Sequence, residues 1–502
     1  VSSSDGTHEA SGGRLGAPAE APFVSERFER GIVWLRRDLR LDDHTALAVA
    51  ARRCERVTCA FVLDPPLLRG ERTGAPIVQF FFDSLAALRD ELRALGSDLA
   101  LLEGEPASEL IAFAQRSGAR AVFYNADTDP AMRARDARVT RALEGAGCFV
   151  GASSDLVYAA ADDVLPDRGR FYSVFTPYRR KWSAFAATRP QPPISSLRLA
   201  RERFSSAAAI GPTRAVPRPE DYGRTSSAHV PRGGSVEAER LLATFVAGPV
   251  TAYAAARNEP AIEGTSRLSP HLRAGTIGIR RCVEAANAAG SEAWLSELVW
   301  RDFYHQLLVH EPRVATEPFL GAARTIAFRD DERAWAAWTN GTTGYPIVDA
   351  AMVQLNTTGW MHNRLRMIVA SFLAKHLLIE YRHGERYFEQ RLADADLAAN
   401  NGGWQWSAST GTDAAPYFRV FNPALQGKTY DPHGTFVRRM LPVLAQVPER
   451  YVHEPWTMPP LIAAEAGCVI GRDYPEPIVD HAAARERALT VYASALGRKN
   501  DG

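Results

Sequence analysis

Cysteine is scarce: five residues in 502, at 54, 59, 148, 282 and 468. None forms a CxxC pair or a metal-finger spacing, which excludes a disulfide framework and a zinc ribbon and implies a reducing compartment. No apolar run reaches membrane-spanning length. The opening stretch, Val1 to about Glu29, is Ser, Gly, Ala, Pro and charge without the apolar segment of a signal peptide. It reads as a disordered tail outside the fold, and the protein as cytoplasmic. Excess charge is lacking too, since 59 Lys plus Arg against 58 Asp plus Glu leaves +1. That balance excludes proteins that coat polyanions through bulk charge, while leaving room for a local basic patch.

Phosphate-loop motifs are also missing. Gly145-Ala-Gly147 resembles the start of a dinucleotide fingerprint, but Val150 stands where its third Gly belongs, and it precedes a strand instead of ending one. Asn422-Pro-Ala-Leu-Gln-Gly427-Lys428-Thr429 mimics a P-loop with Asn in place of the first Gly and no strand leading in. Both are turn signals.

What is present is a chain long enough for two or three domains. From Gly31 short apolar runs alternate with amphipathic stretches. Strand-like segments at Gly31–Leu35, Val57–Leu63, Leu99–Leu102 and Ala121–Tyr124 are separated by helical patterns at His44–Ala51, Ile77–Leu95, Ser108–Gln115 and Ala131–Leu143. Fully apolar strands alternating with helices predict a doubly wound parallel sheet covered on both faces, over 30–160. Residues 161–235 are rich in Pro, Arg and Ser with weak periodicity, and read as a long interdomain linker. From 236 to 490 nearly every window has a helical period, which predicts an all-α domain; 491–502 is a short tail.

Tryptophan is abundant, at ten residues, and all but Trp34 and Trp182 lie beyond residue 290. Four segments of the helical half carry unusual chemistry. In Glu263-Gly-Thr-Ser-Arg-Leu-Ser-Pro270, Thr265, Ser266 and Ser269 offer hydroxyls where a helix begins, a seat for phosphate, although alone the pattern fits a plain N-cap better. Glu297, Trp300, Arg301 and Tyr304 fall at i, i+3, i+4 and i+7, so one helix face carries acid, indole, guanidinium and phenol. An internal salt bridge is the bland alternative, because Glu and Arg are seldom buried unpaired. In Gly359-Trp-Met-His-Asn363-Arg364-Leu-Arg366-Met367, Asn363 and Met367 share a face. In Asp394-Ala-Asp396-Leu-Ala-Ala-Asn400-Asn-Gly-Gly-Trp404-Gln-Trp406, two carboxylates precede an amide, with no His at ligand spacing; they suit a polar ring better than a metal. Gly402-Gly403 inside a helix costs roughly 1 kcal/mol per Gly, which points to close backbone approach.

Together with Trp34-Leu-Arg-Arg-Asp-Leu-Arg-Leu41 and Tyr345-Pro-Ile-Val-Asp-Ala-Ala-Met352, these strings resemble the DNA photolyase and cryptochrome flavoproteins from about Gly31 to Arg487, most of all the class I cyclobutane pyrimidine dimer photolyases. The resemblance implies an α/β antenna domain, a long linker and a helical domain holding FAD. It implies that Tyr253, Thr265, Ser266, Arg267, Leu268 and Ser269 hold the FAD phosphates and that Trp294 and Arg301 line the cavity. Asn363, Arg366, Asp394, Asp396 and Asn400 would meet the isoalloxazine ring, Asn400 near N5 as a neutral amide. The implied substrate is a pyrimidine dimer flipped from UV-damaged DNA. Glu297 would hydrogen-bond it, Trp300 and Trp406 wall it, and Met367 form a polarisable floor. Arg257, Arg364, Arg419 and Gln426 would meet the DNA around the lesion. Light-excited reduced flavin would lend the dimer an electron that returns after the ring splits. The enzyme so implied acts as a monomer away from membranes.

Subfamily markers agree: six-four photolyases have His at Asn363, plant cryptochromes lack Met at 367, and animal cryptochromes place Cys at Asn400. A blue-light receptor without repair activity, or a redox flavoprotein independent of light, are the alternatives. Two departures stand out. The family's path for flavin reduction is three Trp; Trp404 matches the first, but Tyr381 and Phe328 occupy the others. This leaves Trp338 or Trp335, or cellular reductants, as the route. The Cys and Lys of folate-binding members appear as Ala315 and Thr316, and only Asn125 matches a folate contact. Methenyltetrahydrofolate, a deazaflavin or no antenna all remain open.

Overall fold

Alternating apolar residues in the first strand decide the architecture of the N-terminal domain. In the computed structural model, which describes residues 26–226 and 228–497, β1 spans Phe28–Leu35. Ile32 and Trp34 face one side, packing with Ala60, Val62, Val122 and Tyr124. Val33 and Leu35 face the other, with Cys59, Phe61, Leu101 and Phe123. Successive side chains of a strand point to opposite faces, so both faces must be covered. Helices Thr45–Arg53 and Ala75–Ala94 cover one, and Pro106–Ser117 and Pro130–Gly145 the other. With β2 at Cys54–Leu63, β3 at Ala100–Glu103, β4 at Ala121–Asn125 and β5 at Phe149–Ser153, the sheet is parallel throughout in the order β3-β2-β1-β4-β5.

The order reverses between β1 and β4, and at such a switch point open α/β sheets usually bind ligands. Here the chain fills the crevice with its own charges. Arg36 pairs with Asp136 at 2.5 Å, Arg40 with Asp155, and Arg37 reaches Asp127 at 3.3 Å. Asn125 accepts from the Ala46 N–H and donates to Asp38 at 2.7 Å, so both ends of its amide are engaged within the domain. The remaining space is about 20 Å³, room for one water. The missing nucleotide fingerprint thus has a structural counterpart.

The helical half adds α2 (Glu292–His310), α3 (Glu332–Asn340), α4 (Asn363–Ser371), α5 (Tyr381–Arg391), α6 (Leu397–Ser407) and α7 (His481–Leu496) to a first long helix, α1, at Phe175–Thr188. Close approach explains one of the paired glycines: a Cβ on Gly402 of α6 would drive into the Tyr304 ring of α2. Gly403 meets no such obstacle. A charged seam joins the halves: Arg280 holds Asp43 at 2.6 Å and Asp155 at 2.5 Å, all three buried. Such pairs fix geometry more than they add net stability.

Three boundaries need correction. β1 begins at Phe28, within the expected N-terminal tail, because Phe28 is buried against Phe149. The 161–235 connection is not structureless: α1 turns Phe175, Tyr178 and Trp182 onto the helical core at i, i+3 and i+7. α7 runs to Leu496, past the expected boundary at 490, with Tyr492 and Ala495 buried. Residues 1–25 and 498–502, most of both expected tails, lie outside the described residues. Among the described residues no helix is long and apolar enough to cross a membrane.

Candidate functional site

A cavity of about 500 Å³ opens among α2, α4, α6 and the segment before the short helix Ser269–Ala274. It gathers side chains scattered over 150 residues of sequence. Tyr253, Arg257, Thr265, Ser266, Arg267, Leu268, Ser269, Trp294, Glu297, Trp300, Arg301, Asn363, Arg366, Met367, Asp394, Asp396, Asn400, Trp404 and Trp406 all line it. Others expected from the sequence do not: Tyr381, Trp338 and Trp335 lie in or against the core behind its wall, and Arg364, Arg419 and Gln426 lie outside its lining.

The deep end is polar. Arg366 donates to Asp394 at 2.7 Å and to the Met361 carbonyl at 2.9 Å. The other carboxylate oxygen of Asp394 is buried without a partner, an acceptor awaiting a donor. Asp396 caps α6 by accepting from the Ala399 N–H at 3.2 Å. Its second oxygen takes Arg37 from the sheet domain, and His305 stands 3.6 Å away. Burial would raise the Asp396 carboxyl, but His305, Arg37, Arg301 and Arg273 outweigh it and hold the group well below the ordinary carboxylate range. Asn400 donates to the Glu385 carbonyl at 3.0 Å, which fixes the amide's orientation. A flat ring with hydrogen-bonding edges suits this end, and the hydroxyls of Thr265, Ser266 and Ser269 suit phosphate at the other.

The mouth is aromatic and basic. Trp300 stacks on Phe175 with centroids 3.6 Å apart and planes 6° off parallel, so α1 sets one wall. Glu297 pairs with Arg257 at 2.6 Å. Arg364 donates to Asn258 at 2.6 Å and lies 4.5 Å over the Tyr430 ring. Burial first, then Arg366, Arg267, Arg364 and Arg257, push the His362 imidazole down to about 4. Of these guanidiniums, Arg366, Arg257 and Arg267 are paired with Asp394, Glu297 and Glu263, while Arg364 is held by the neutral Asn258 amide.

Beside the mouth, α4 ends in a π-helical turn, Phe372–His376, which places Lys375 in the core at 1% exposure. Its Nζ donates to the Arg419 carbonyl at 2.9 Å, tethering the exposed segment that carries Phe418 and Arg419. Burial first, then Arg419, push this ammonium from 10.5 down to about 8. Below pH 8 both folded and unfolded chains carry the proton, and the folded state bears the whole penalty. Between 8 and 10.5 the folded protein sheds its proton first, so stability rises with pH. The displacement is about 3 kcal/mol, against about 1 for the hydrogen bond. Lys375→Met is therefore expected to raise the unfolding free energy at pH 7 by about 2 kcal/mol, a gap that closes at about pH 9.5 and reverses to about 1 kcal/mol in favour of the parent by pH 10.5. Denaturant titrations across that pH range check it; a destabilised variant contradicts it.

Several lining or supporting residues escaped sequence reasoning. Arg273 lines the cavity and donates to the Ala395 carbonyl at 2.8 Å. Phe175 lay in the stretch read as linker; its spacing with Tyr178 and Trp182 was the available signal. Arg37 was visible within a quoted string, but nothing local could say that it reaches Asp396 across 359 residues.

Residues 31–195 match the family model described as DNA photolyase, and residues 294–494 that described as the FAD binding domain of DNA photolyase. A deoxyribodipyrimidine photo-lyase of Halobacterium salinarum is 40% identical over 488 residues, covering 93% of this chain and 99% of that protein. The crystal structure of a bacterial class III photolyase from Agrobacterium tumefaciens superposes with a TM-score of 0.84 at 34% identity, over 95% of this chain and 99% of that one. An archaeal photolyase from Sulfolobus tokodaii, solved with two FAD molecules, gives 0.79 at 32%, over 93% and 100%.

Proposed function

The chain belongs to the DNA photolyase family, and from that premise we propose that this cavity opens cyclobutane pyrimidine dimers in UV-damaged DNA under light, as a class I enzyme. The observation that carries the reading is that Glu297, Trp300, Asn363, Met367 and Trp406 line one cavity together with the Arg366–Asp394 pair, Asp396 and Asn400. A photoreceptor has no use for an acid, a soft floor and two indole walls in one place.

The residues fit FAD. Asp394 offers an unpartnered buried acceptor, Asn400 an oriented neutral amide, and Thr265, Ser266 and Ser269 hydroxyls for phosphate. When bound and reduced, FAD supplies on illumination the electron that opens the dimer. The chain does the rest. Arg366 and Asp394 hold the ring edge, and Arg37 keeps Asp396 ionised and in place. Trp300, locked by Phe175, and Trp406 wall the flipped dimer and exclude water. Arg257, Arg364 and Arg419 take phosphates, while Gln426 borders the same face.

Reduced, FAD-loaded protein mixed with thymine-dimer DNA is expected to restore the ultraviolet absorbance of the bases under near-ultraviolet light, and not in darkness. Absence of any light-dependent recovery overturns this reading.

A further inference from the structure

Behind the cavity lies a file of indoles that repair does not use. Trp404 lines the cavity, and its ring neighbours are Phe388 at 5.0 Å and Trp338 at 6.1 Å. Trp338, with no exposed surface, stacks on Trp335 at 5.5 Å and 24°. Trp335 is half-buried and reaches the protein surface on α3. Tyr381 is not among the ring neighbours of Trp404, and its hydroxyl is buried without a partner. From this geometry we propose that Trp404, Trp338 and Trp335, in that order, form an electron conduit from the protein surface to the cavity, with Trp335 as the entry site for a small thiol reductant. The proposal rests on the FAD reading of the cavity.

Proton chemistry gives the file its direction. The indole N–H of Trp404 is buried with no acceptor, and that of Trp338 is held by the Val369 carbonyl at 3.1 Å. Neither faces a base, so an oxidised inner indole keeps its proton and its positive charge in apolar surroundings, which is unfavourable. Trp335 meets water, which solvates the charge and accepts the proton. Tyr387 neighbours Trp335 at 5.9 Å and Trp338 at 5.7 Å, yet its hydroxyl donates to the neutral Asn356 amide oxygen at 2.7 Å. With no base there it cannot give up its proton, so the file ends at Trp335.

One electron leaves Trp404 for the light-excited oxidised isoalloxazine ring, and the vacancy passes to Trp338 and then to Trp335. Trp335 releases its indole proton to water. A thiol returns one hydrogen atom to Trp335 and becomes a thiyl radical, and the two thiyl radicals from two such cycles combine as a disulfide.

Oxidised holoprotein under blue light with β-mercaptoethanol and no DNA tests this. Loss of the oxidised-flavin absorbance and the transient spectrum of the aromatic radical are both recorded. Trp335→Phe is expected to slow the reduction at least tenfold and to abolish the long-lived Trp radical; the surface position spares the fold. Trp338→Phe should do the same, while Tyr381→Phe reduces at the parent rate. A Trp335→Phe protein reduced at the parent rate, or a Tyr381→Phe protein that is slowed instead, overturns the conduit. Repair by dithionite-reduced Trp335→Phe should equal that of the parent. If the dithionite-reduced parent itself fails to repair, the repair reading falls, and the photoreduction result stands separately.

Discussion

Asp394→Ala should leave the protein almost without flavin. Asp394 is the one carboxylate at the deep end whose side chain is 2% exposed, and Arg366 depends on it at 2.7 Å. Its second oxygen has no partner among the described residues. Removing it leaves Arg366 uncompensated and deletes an acceptor from the ring-binding wall. Breaking such a pair costs about 3–5 kcal/mol when both groups are deeply buried. Arg366 keeps 28% exposure, so solvent relieves part of this and the lower end applies. That cost falls on the fold; the lost charged acceptor, worth about 1.5–3 kcal/mol to a hydrogen bond, lowers FAD affinity by about ten- to a hundredfold. Titration of apoprotein with FAD, and the flavin-to-protein absorbance ratio after gel filtration, read it directly. Asp394→Asn keeps the shape and one acceptor, so it should lose less and melt close to the parent. Full FAD retention by Asp394→Ala would falsify the assignment of this end to the ring.

The two predicted layers of the fold were legible for different reasons. The parallel sheet was readable because a strand covered on both faces is apolar at every position, as in Gly31–Leu35, and no other element has that pattern at that length. Boundaries failed where tertiary contact, not composition, decides order. Phe28 sits among polar neighbours and is buried only because Phe149 arrives from β5. α1 has three aromatic anchors in an Arg-rich context, so its amphipathic period was diluted and its function as the Trp300 wall was invisible. Motif residues on α2, α4 and α6 were legible because acid, amide and indole recur at helical spacing, where a core face would carry Leu and Val. The supports of those residues were not. Asp396 depends on Arg37 across 359 residues, and Glu385 orients Asn400 through a backbone carbonyl, a group every residue has. Gly402 shows the middle ground: its cost in a helix announced a close approach, and only the fold could name Tyr304 as the reason.

Glu297→Ala should leave FAD in place and cut repair by about ten- to a hundredfold, the worth of a hydrogen bond to a charged group at about 1.5–3 kcal/mol. In the protein without DNA the carboxylate is held by Arg257 at 2.6 Å, both side chains being partly exposed. A lesion entering between Trp300 and Trp406 therefore finds its hydrogen-bonding acid occupied. The pair must open, and the proposed partner for the freed Arg257 is a phosphate beside the lesion. Docking of DNA and arming of Glu297 then become one event, since the Arg257–phosphate contact releases the Glu297 carboxylate to the substrate. Three measurements follow from this coupling. Glu297→Ala should bind undamaged DNA at least as well as the parent, because Arg257 is free from the start. Arg257→Ala should reduce the salt dependence of DNA binding by about one contact. It should also lower repair at saturating DNA less than Glu297→Ala does, since Glu297 stays available. Equal repair by Glu297→Ala and the parent at saturating damaged DNA would remove Glu297 from the reaction. A loss of undamaged-DNA affinity in the same variant would instead make the Arg257 pair part of the DNA-binding surface, with no exchange between the two roles.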